Sequence, residues 1–298
     1  MPPFRSGVAA ILGPPNAGKS TLLNRLLGQK VAIVTPRPQT TRNRIMGVVN
    51  GEKYQIILLD TPGLHAAGKE LNRRMVRAAL DAAADADVAL LLLDVSDRRK
   101  FAPDPFARLV AHLETAACPV LLGLNKADLV SADRLRQAAD WCRAQYPFAG
   151  TITLSALSGE GTAELEAELA ARLPEGPQYY PDDMPTDVSE RFLAAEIVRE
   201  AVFLRTRDEV PYATAVMIEL FDESARPLRI AATILVERAS QKGIIIGKGG
   251  AMLGAIREQA AREIARVLER PVRLELWVKV REKWTENRGI LKSLGLEG

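Results

Sequence analysis

The stretch Gly13-Pro14-Pro15-Asn16-Ala17-Gly18-Lys19-Ser20 follows the apolar run Val8–Leu12 and precedes a segment with helical periodicity. Glycines near its two ends allow backbone N–H groups to turn inward around an anion, and the following helix directs its positive end at the same point. Lys19 offers a charge to the β- and γ-phosphates of a nucleotide, and Ser20 offers a hydroxyl to Mg²⁺. The alternative, a glycine-rich turn that binds nothing, does not account for this spacing. The predicted phosphate-site residues are Gly13, Asn16, Ala17, Gly18, Lys19, Ser20 and Thr21.

Composition places the chain among globular proteins. It has 298 residues, 47% of them hydrophobic and 26% charged, with a net charge of +3, which is long enough for two domains. The longest apolar run, Val88–Leu93, is too short to span a bilayer, and the start Met1–Ser6 lacks the apolar core of a signal peptide. We therefore expect a cytoplasmic protein, in which Cys118 and Cys142 are reduced structural thiols.

Apolar runs alternate with amphipathic segments up to about residue 173, which predicts an α/β domain with a mostly parallel sheet covered on both faces. An antiparallel edge is expected where Ile45–Val49 and Tyr54–Leu59 flank a turn. The polar, proline-containing stretch Thr35 to Arg44 is expected to be a mobile loop. The other predicted strands are Gly7–Leu12, Val88–Val95, Val120–Leu124 and Thr151–Leu154, and the predicted helices are Lys19–Leu27, Glu70–Ala86, Pro105–Ala116, Ala132–Gln145 and Thr162–Leu173.

Asp60-Thr61-Pro62-Gly63 follows a predicted strand, at the sheet edge where ligands bind in such folds. The Asp60 carboxylate can hold Mg²⁺ through water, and the N–H of Gly63 can meet a γ-phosphate. Thr41, in the loop before the edge strands, can close its hydroxyl over the same ion. Ser20, Thr41 and Asp60 are thus the predicted metal residues, and Lys19, Thr41 and Gly63 the predicted catalytic ones.

Two further stretches fall at strand ends, and together they predict guanine specificity. In Asn125-Lys126-Ala127-Asp128, the Asp128 carboxylate can accept from both the N1–H and the 2-amino group of guanine, a pair that adenine lacks. Ser155-Ala156-Leu157 follows the next strand, where the Ala156 N–H could donate to the 6-oxo group. Each motif alone is weak, but their order downstream of the phosphate loop resembles the GTPase motifs of the Ras-like translation-factor class.

One departure from the Ras pattern concerns hydrolysis. Ras-type enzymes carry a water-orienting glutamine after the DxxG motif, and Leu64 occupies that place here. This resembles the GTPases with a hydrophobic substitution there, some of which have an asparagine at the Asn16 position and use potassium instead of an arginine finger. Asn16 could equally bond to its own backbone, so potassium ligation stays open.

A proline-rich stretch from Pro174 to Pro185 marks a linker. It divides the chain into domains at residues 1–174 and 188–298, with 175–187 between them, and is expected to let the second domain dock differently in different nucleotide states. Beyond it, the predicted elements are the helices Ser189–Thr206, Met252–Glu269 and Ile290–Leu294 and the strands Ala213–Phe221, Leu228–Glu237 and Val272–Val280.

The element order and the Gly247-Lys248-Gly249-Gly250 loop resemble the type II KH domain, a smaller α+β RNA-binding module. Residues 238–292 hold 13 basic and 6 acidic side chains, a candidate nucleic-acid face. Trp277 and Trp284 are expected to pack rather than to stack on bases, and three arginines are expected to pair with glutamates along one helix: Arg262, Arg266 and Arg270 with Glu258 and Glu263. The predicted RNA contacts are Lys242, Ile246, Gly247, Lys248, Gly249, Gly250, Lys279, Arg281 and Lys283.

Over nearly its whole length the chain resembles the Era family of GTPases, which joins a Ras-like GTPase domain to a type II KH domain. The motifs Pro38-Gln39-Thr40-Thr41-Arg42, Asp60-Thr61-Pro62-Gly63 and Asn125-Lys126-Ala127-Asp128 carry the resemblance. It implies a monomeric, Mg²⁺-dependent GTPase that cycles between GTP and GDP, binds the 3′ end of 16S ribosomal RNA, assists small-subunit (30S) assembly and associates peripherally with the inner membrane. Two alternatives are a GTPase of transfer RNA modification, which usually ends in a catalytic cysteine that this chain lacks, and an RNA-binding scaffold with a vestigial nucleotide site.

Overall fold

A six-stranded sheet organises the amino-terminal domain. The computed structural model describes residues 3–63, 70–114 and 117–295, and the strand order is β2-β3-β1-β4-β5-β6. Only β2 runs antiparallel to its neighbour, as the turn between the edge strands predicted. The strands are β1 Arg5–Leu12, β2 Ile45–Gly51, β3 Tyr54–Asp60, β4 Val88–Asp94, β5 Val120–Asn125 and β6 Gly150–Thr153, and the helices are α1 Lys19–Leu27, α2 Glu70–Ala84, α3 Pro103–Leu113, α4 Ala132–Gln145 and α5 Thr162–Arg172.

Both faces of this sheet are covered, which explains why its central strands are apolar throughout. Successive side chains of a strand point to opposite faces. Ala9 and Ile11 of β1 accordingly enter one core cluster with residues of α1 and α5, whereas Ala10 and Leu12 enter another with residues of α2, α3 and α4. The carboxyl ends of the parallel strands therefore meet at one edge, above which the predicted motifs lie.

Element boundaries differ from prediction by a few residues. β1 begins at Arg5 because that residue pairs in register with Tyr54 of β3, a contact that hydropathy does not reveal. α3 begins at Pro103, since proline is well suited to the first turn of a helix. Its predicted end at Ala116 lies outside the described residues.

The second domain places helices on a three-stranded sheet. Its elements are α6 Glu190–Arg205, β7 Ala215–Asp222, β8 Leu228–Val236, α7 Ala239–Ile246, α8 Ala251–Val267, β9 Val272–Val280 and α9 Arg288–Ser293. β7 and β8 pair antiparallel and β8 and β9 parallel, and the glycine-rich loop joins α7 to α8. The predicted order of helices and strands is confirmed.

The linker at residues 175–187 is hydrogen-bonded to the GTPase domain. The fully buried Gln55 accepts from the N–H groups of Tyr179 and Tyr180 at 2.8 and 2.9 Å. The Val48 N–H donates to the Pro185 carbonyl at 2.8 Å, and the Thr186 hydroxyl donates to the Met46 carbonyl at 2.6 Å. This segment is therefore bound along β2 and β3 in this structure, and the expectation that it lets the second domain dock differently in different nucleotide states stays a prediction.

Across residues 3–63, 70–114 and 117–295, no helix has both the length and the apolar character that a bilayer crossing requires.

Candidate functional site

The phosphate loop holds a backbone shape that only glycine permits at two positions. Gly13 and Gly18 have φ angles of 145° and 96°. A Cβ on Gly13 would lie 2.3 Å from the Leu92 carbonyl oxygen, and one on Gly18 would lie 2.2 Å from Nδ2 of Asn125. Close packing of β4 and β5 against the loop thus fixes its curvature before any ligand binds.

Lys19 lies at the first position of α1 with its ammonium group inside the loop. Its side chain is nearly buried, and Nζ donates to the carbonyls of Gly13 and Pro14 at 3.2 Å each. A buried ammonium held by neutral carbonyls at a helix N-terminus attracts anions strongly. This is the role predicted for Lys19.

The three predicted metal residues converge. Oγ of Ser20 lies 2.6 Å from Oδ2 of Asp60 and 2.7 Å from Oγ1 of Thr41. Asp60 is fully buried, and burial raises the pKa of its carboxyl to about 6 against the opposing charge of Lys19. Within the described part of the chain, Oδ1 of Asp60 has no hydrogen-bond partner. This cluster of oxygens, with one buried carboxylate oxygen unsatisfied, matches the hard ligands that Mg²⁺ prefers.

Gly63 lies close against the phosphate loop. A Cβ on it would lie 2.8 Å from the Pro15 nitrogen, so no other residue fits without moving the loop. Gly63, Thr41, Lys19 and Ser20 line one cavity of about 580 Å³. Leu64, which the sequence places where Ras has its glutamine, lies outside the described residues.

Asn125 joins the phosphate loop to the base-recognition motifs. The residue is buried, its Nδ2 donates to the Ala17 carbonyl at 2.7 Å, and its Oδ1 accepts from the Ala156 N–H at 2.9 Å. The Ala156 N–H therefore already has a partner, contrary to its predicted availability for the guanine 6-oxo group. Asp128 is exposed in a 3₁₀ turn, Ala127–Leu129, with its carboxylate accessible to a base.

Sequence reasoning missed Asp94, the last residue of β4. Its Oδ2 accepts from Nζ of Lys126 at 2.6 Å, and its Oδ1 accepts from both the backbone and the hydroxyl of Ser96. The signal in the sequence was an aspartate at the carboxyl end of an apolar strand, on the sheet edge where ligands bind.

The predicted base-site residues Ser155 and Leu157 differ in their surroundings. The Ser155 hydroxyl accepts from the Ser158 N–H at 3.2 Å, whereas the Leu157 side chain is largely exposed.

Asn16 bonds to the loop that precedes β2. Its φ is 63°, and Nδ2 donates to the Pro36 carbonyl of the loop before β2 at 3.0 Å. Asn16 and Pro36 both line the phosphate cavity. Thr21, the last predicted phosphate-site residue, also lines this cavity.

The comparisons with known proteins agree with this geometry. The family models described as "50S ribosome-binding GTPase" and "KH domain" match residues 8–126 and 209–285. GTPase Era of Geobacter metallireducens is 48% identical over 295 residues, covering 98% of each chain. The chain belongs to the Era family of GTPases. It is therefore an enzyme that hydrolyses GTP to GDP and phosphate, and the vestigial-site alternative is wrong.

Solved Era structures share the whole fold. A crystal structure of an Aquifex aeolicus Era variant bound to GDP·AlF4⁻ has a TM-score of 0.93 at 38% identity, covering 99% of this chain and 100% of that one. Era in complex with MgGDPNP and nucleotides 1506–1542 of 16S ribosomal RNA has a TM-score of 0.94 at 38% identity, with the same coverage. The two-domain fold inferred from the sequence is confirmed.

The glycine-rich loop of the KH domain presents its backbone outward. Gly247, Gly249 and Gly250 have φ angles of 72°, 60° and 82°, and a Cβ on Gly249 or Gly250 would meet only open space. Lys248 is exposed between them. A phosphate can therefore approach the backbone here as the motif predicts, whereas Ile246 packs its side chain against the domain core.

A groove of about 360 Å³ runs beside this loop between α8 and the edge strand β9. Trp277 lines it and is 48% exposed, so the expectation that it packs internally is wrong. Trp284 is fully buried and donates to the Ala213 carbonyl at 2.8 Å, as expected. The groove also contains Arg257, which sequence reasoning missed. Of the other predicted RNA contacts, Lys279, Arg281 and Lys283 are exposed and Lys242 is half-buried.

The arginines of α8 have more varied partners than predicted. Arg266 pairs with Glu263 at 2.8 Å, as expected, but Arg270 lies beyond the helix and pairs with Glu190 of α6. Glu263 also accepts from Lys30 of the GTPase domain at 2.7 Å. Hydrogen bonds from Arg266 and then Lys30 lower the pKa of Glu263 to about 2, so this carboxylate forms a charged contact between the domains.

Proposed function

We propose that this GTPase holds the triphosphate of GTP in the loop 13–20 and assists assembly of the small ribosomal subunit by binding 16S ribosomal RNA near its 3′ end. The observation that carries the proposal is the joint presence of a convergent phosphate and metal site and an outward-facing GxxG loop in one chain. The Era structure with MgGDPNP and nucleotides 1506–1542 of 16S ribosomal RNA supports the choice of RNA.

Within the nucleotide site, Lys19 would neutralise the β- and γ-phosphates. Mg²⁺, when bound, would supply a positive charge that stabilises the leaving phosphate oxygens. Ser20 and Thr41 would hold the ion by their hydroxyls, and Asp60 would hold it through water. The N–H of Gly63 would donate to the γ-phosphate, and Asp128 would select guanine.

Asn16 would supply one oxygen to a potassium ion, with the Pro36 carbonyl beside it. A monovalent cation held there would supply positive charge that stabilises the charge developing on the phosphates during hydrolysis. Asn16 and Pro36 line the same cavity as Lys19, which supports this role.

The KH domain would bind RNA through Lys248 and the backbone of its glycine loop, with Lys279, Arg281 and Lys283 near the phosphates and Trp277 beside the bases. The protein would act as a monomer in the cytoplasm. Its peripheral association with the inner membrane rests on the family resemblance alone. The transfer RNA modification alternative gains no support, because the relatives matched along the chain are Era proteins.

The test is binding of a labelled RNA of the 16S 3′ end to a charge-reversal variant and its matched control. Lys248→Asp should weaken binding at least tenfold and lower the salt dependence. Arg262→Asp makes the same change of charge on α8 outside the groove and should have little effect. Equal loss in both variants would mean a non-specific basic surface, and no loss in either would exclude the GxxG loop. Complementation of an Era-depleted strain, read as 30S yield, tests the assembly role.

A further inference from the structure

The loop that carries Thr41 is bound to the KH domain near both of its ends. This segment, residues 30–43, is here called the switch loop. Ile33 is buried within the KH core cluster, and the Val34 N–H donates to Oε1 of Glu200 in α6 at 2.9 Å. At the far end, Asn43 donates to the carbonyls of Leu294 and Gly295 at 3.2 and 3.1 Å. The predicted mobile loop is thus packed between the two domains.

Arg42 makes the deepest of these contacts. Its side chain is buried, and its guanidinium donates to the carbonyls of Thr214, Tyr212 and Pro211 at 2.7, 3.0 and 3.4 Å. It also lies 5.7 Å from the ring centroid of Trp284. Burial and the nearby charge of Arg199 lower the pKa of Arg42 to about 9, so the group stays charged at neutral pH. A planar guanidinium satisfied by three carbonyls cannot shift without leaving them unsatisfied.

Arg199 holds the switch loop from the other side of Thr41. It is a buried residue of α6 that pairs with Glu196 at 2.5 Å and donates to the Thr40 carbonyl at 2.5 Å. The backbone of Thr40 and the side chain of Arg42 are therefore both bound by the KH domain. Between them, the hydroxyl of Thr41 lies 2.7 Å from Ser20.

We propose that Arg42 and Arg199 are positioning residues for GTP hydrolysis, which hold Thr41 at the metal site by fixing its two chain neighbours to the KH domain. This rests on the proposed role of Thr41. A free loop must lose backbone entropy each time it closes over the nucleotide, whereas a loop already bound on both sides of Thr41 has lost most of it. The KH domain thus contributes to the geometry of the GTPase reaction without touching the nucleotide.

The test is steady-state hydrolysis by the full chain, together with GDP affinity. Arg42→Met and Arg199→Met should each lower kcat about tenfold and leave the Kd for GDP within twofold, because Thr41 contacts the ion in the triphosphate state. The matched control is Arg191→Met, since Arg191 lies on α6 like Arg199 and donates to the Ile218 carbonyl within the KH domain. It should change neither value.

A double substitution separates positioning from a general loss of structure. If Arg42 acts through Thr41, Arg42→Met should cost nothing further in kcat when added to Thr41→Ala. Additive losses would overturn the proposal, as would an unchanged kcat in Arg42→Met and Arg199→Met. If Arg42→Met does not fold, judged by its thermal transition, Arg199→Met and its own double with Thr41→Ala decide the question. An unaffected Thr41→Ala enzyme would instead show that the proposed role of Thr41 has failed, and the positioning role with it.

Discussion

Replacing Asn125 by alanine should destabilise the GTPase domain even without nucleotide. The amide satisfies two buried backbone groups, the Ala17 carbonyl and the Ala156 N–H, at 2.7 and 2.9 Å. Each buried group left without a partner costs about 1–3 kcal/mol, so the expected loss is roughly 2–6 kcal/mol. Part of this loss should also appear in nucleotide affinity, because the phosphate loop and the Ser155–Leu157 segment would no longer be held together.

The assay is urea unfolding of the nucleotide-free protein, combined with titration of fluorescent GDP. Gln137→Ala is the control, since that amide is exposed on α4 of the same domain; its cost should stay below about 1 kcal/mol. If Asn125→Ala unfolds at the same urea concentration as the parent while its GDP affinity falls, the residue acts by direct contact with the nucleotide, and the bracing argument is wrong.

Four further outcomes are expected. Asp128→Asn should lose GTP affinity by at least tenfold and gain xanthosine triphosphate, measured by competition binding, because the acceptor pair for guanine is lost. Hydrolysis should be faster in potassium than in sodium at equal ionic strength, and Asn16→Ala should abolish that difference. Gly63→Ala should slow single-turnover hydrolysis, since its Cβ would lie 2.8 Å from the Pro15 nitrogen. The folded-state pKa of Glu263, about 2, lies below its ordinary value. The ionised carboxylate therefore stabilises the fold above about pH 4.5, and this contribution is lost as the pH falls toward 2. In urea unfolding at pH 6 and pH 3, the free energy of unfolding of Glu263→Gln should change less with pH than that of the parent.

Local patterns were sufficient for the parts of the site that lie within one strand, loop or helix. The bounds of α1 and α4 match the prediction, because each helix carries its own start signal, a glycine loop in one case and the capping Ser131 in the other. The convergence of Ser20, Thr41 and Asp60 was also predictable, since parallel strands deliver their loops to one edge.

Contacts between distant segments were not predictable in the same way. Proline content marked residues 175–187 as a linker but could not show that the buried side chain of Gln55 binds their backbone. Nothing in the local sequence of Arg42 shows that its partners lie 170 residues away in the KH domain. The prediction for Trp277 was wrong because Leu276 and Val278 on either side of it face the core, which places Trp277 on the opposite face of β9.

These two unpredicted features together constrain how the domains can communicate. The linker is bound to the GTPase domain as far as Thr186, and α6 begins at Glu190, so only a few residues between them are available as a hinge. A rotation of the KH domain about that hinge would separate Arg199 and Glu200 from the switch loop. If Arg42 and Arg199 position Thr41 as proposed, KH orientation and the position of Thr41 are thermodynamically linked. An RNA that favours one orientation must then alter GTP affinity by the factor by which GTP alters RNA affinity.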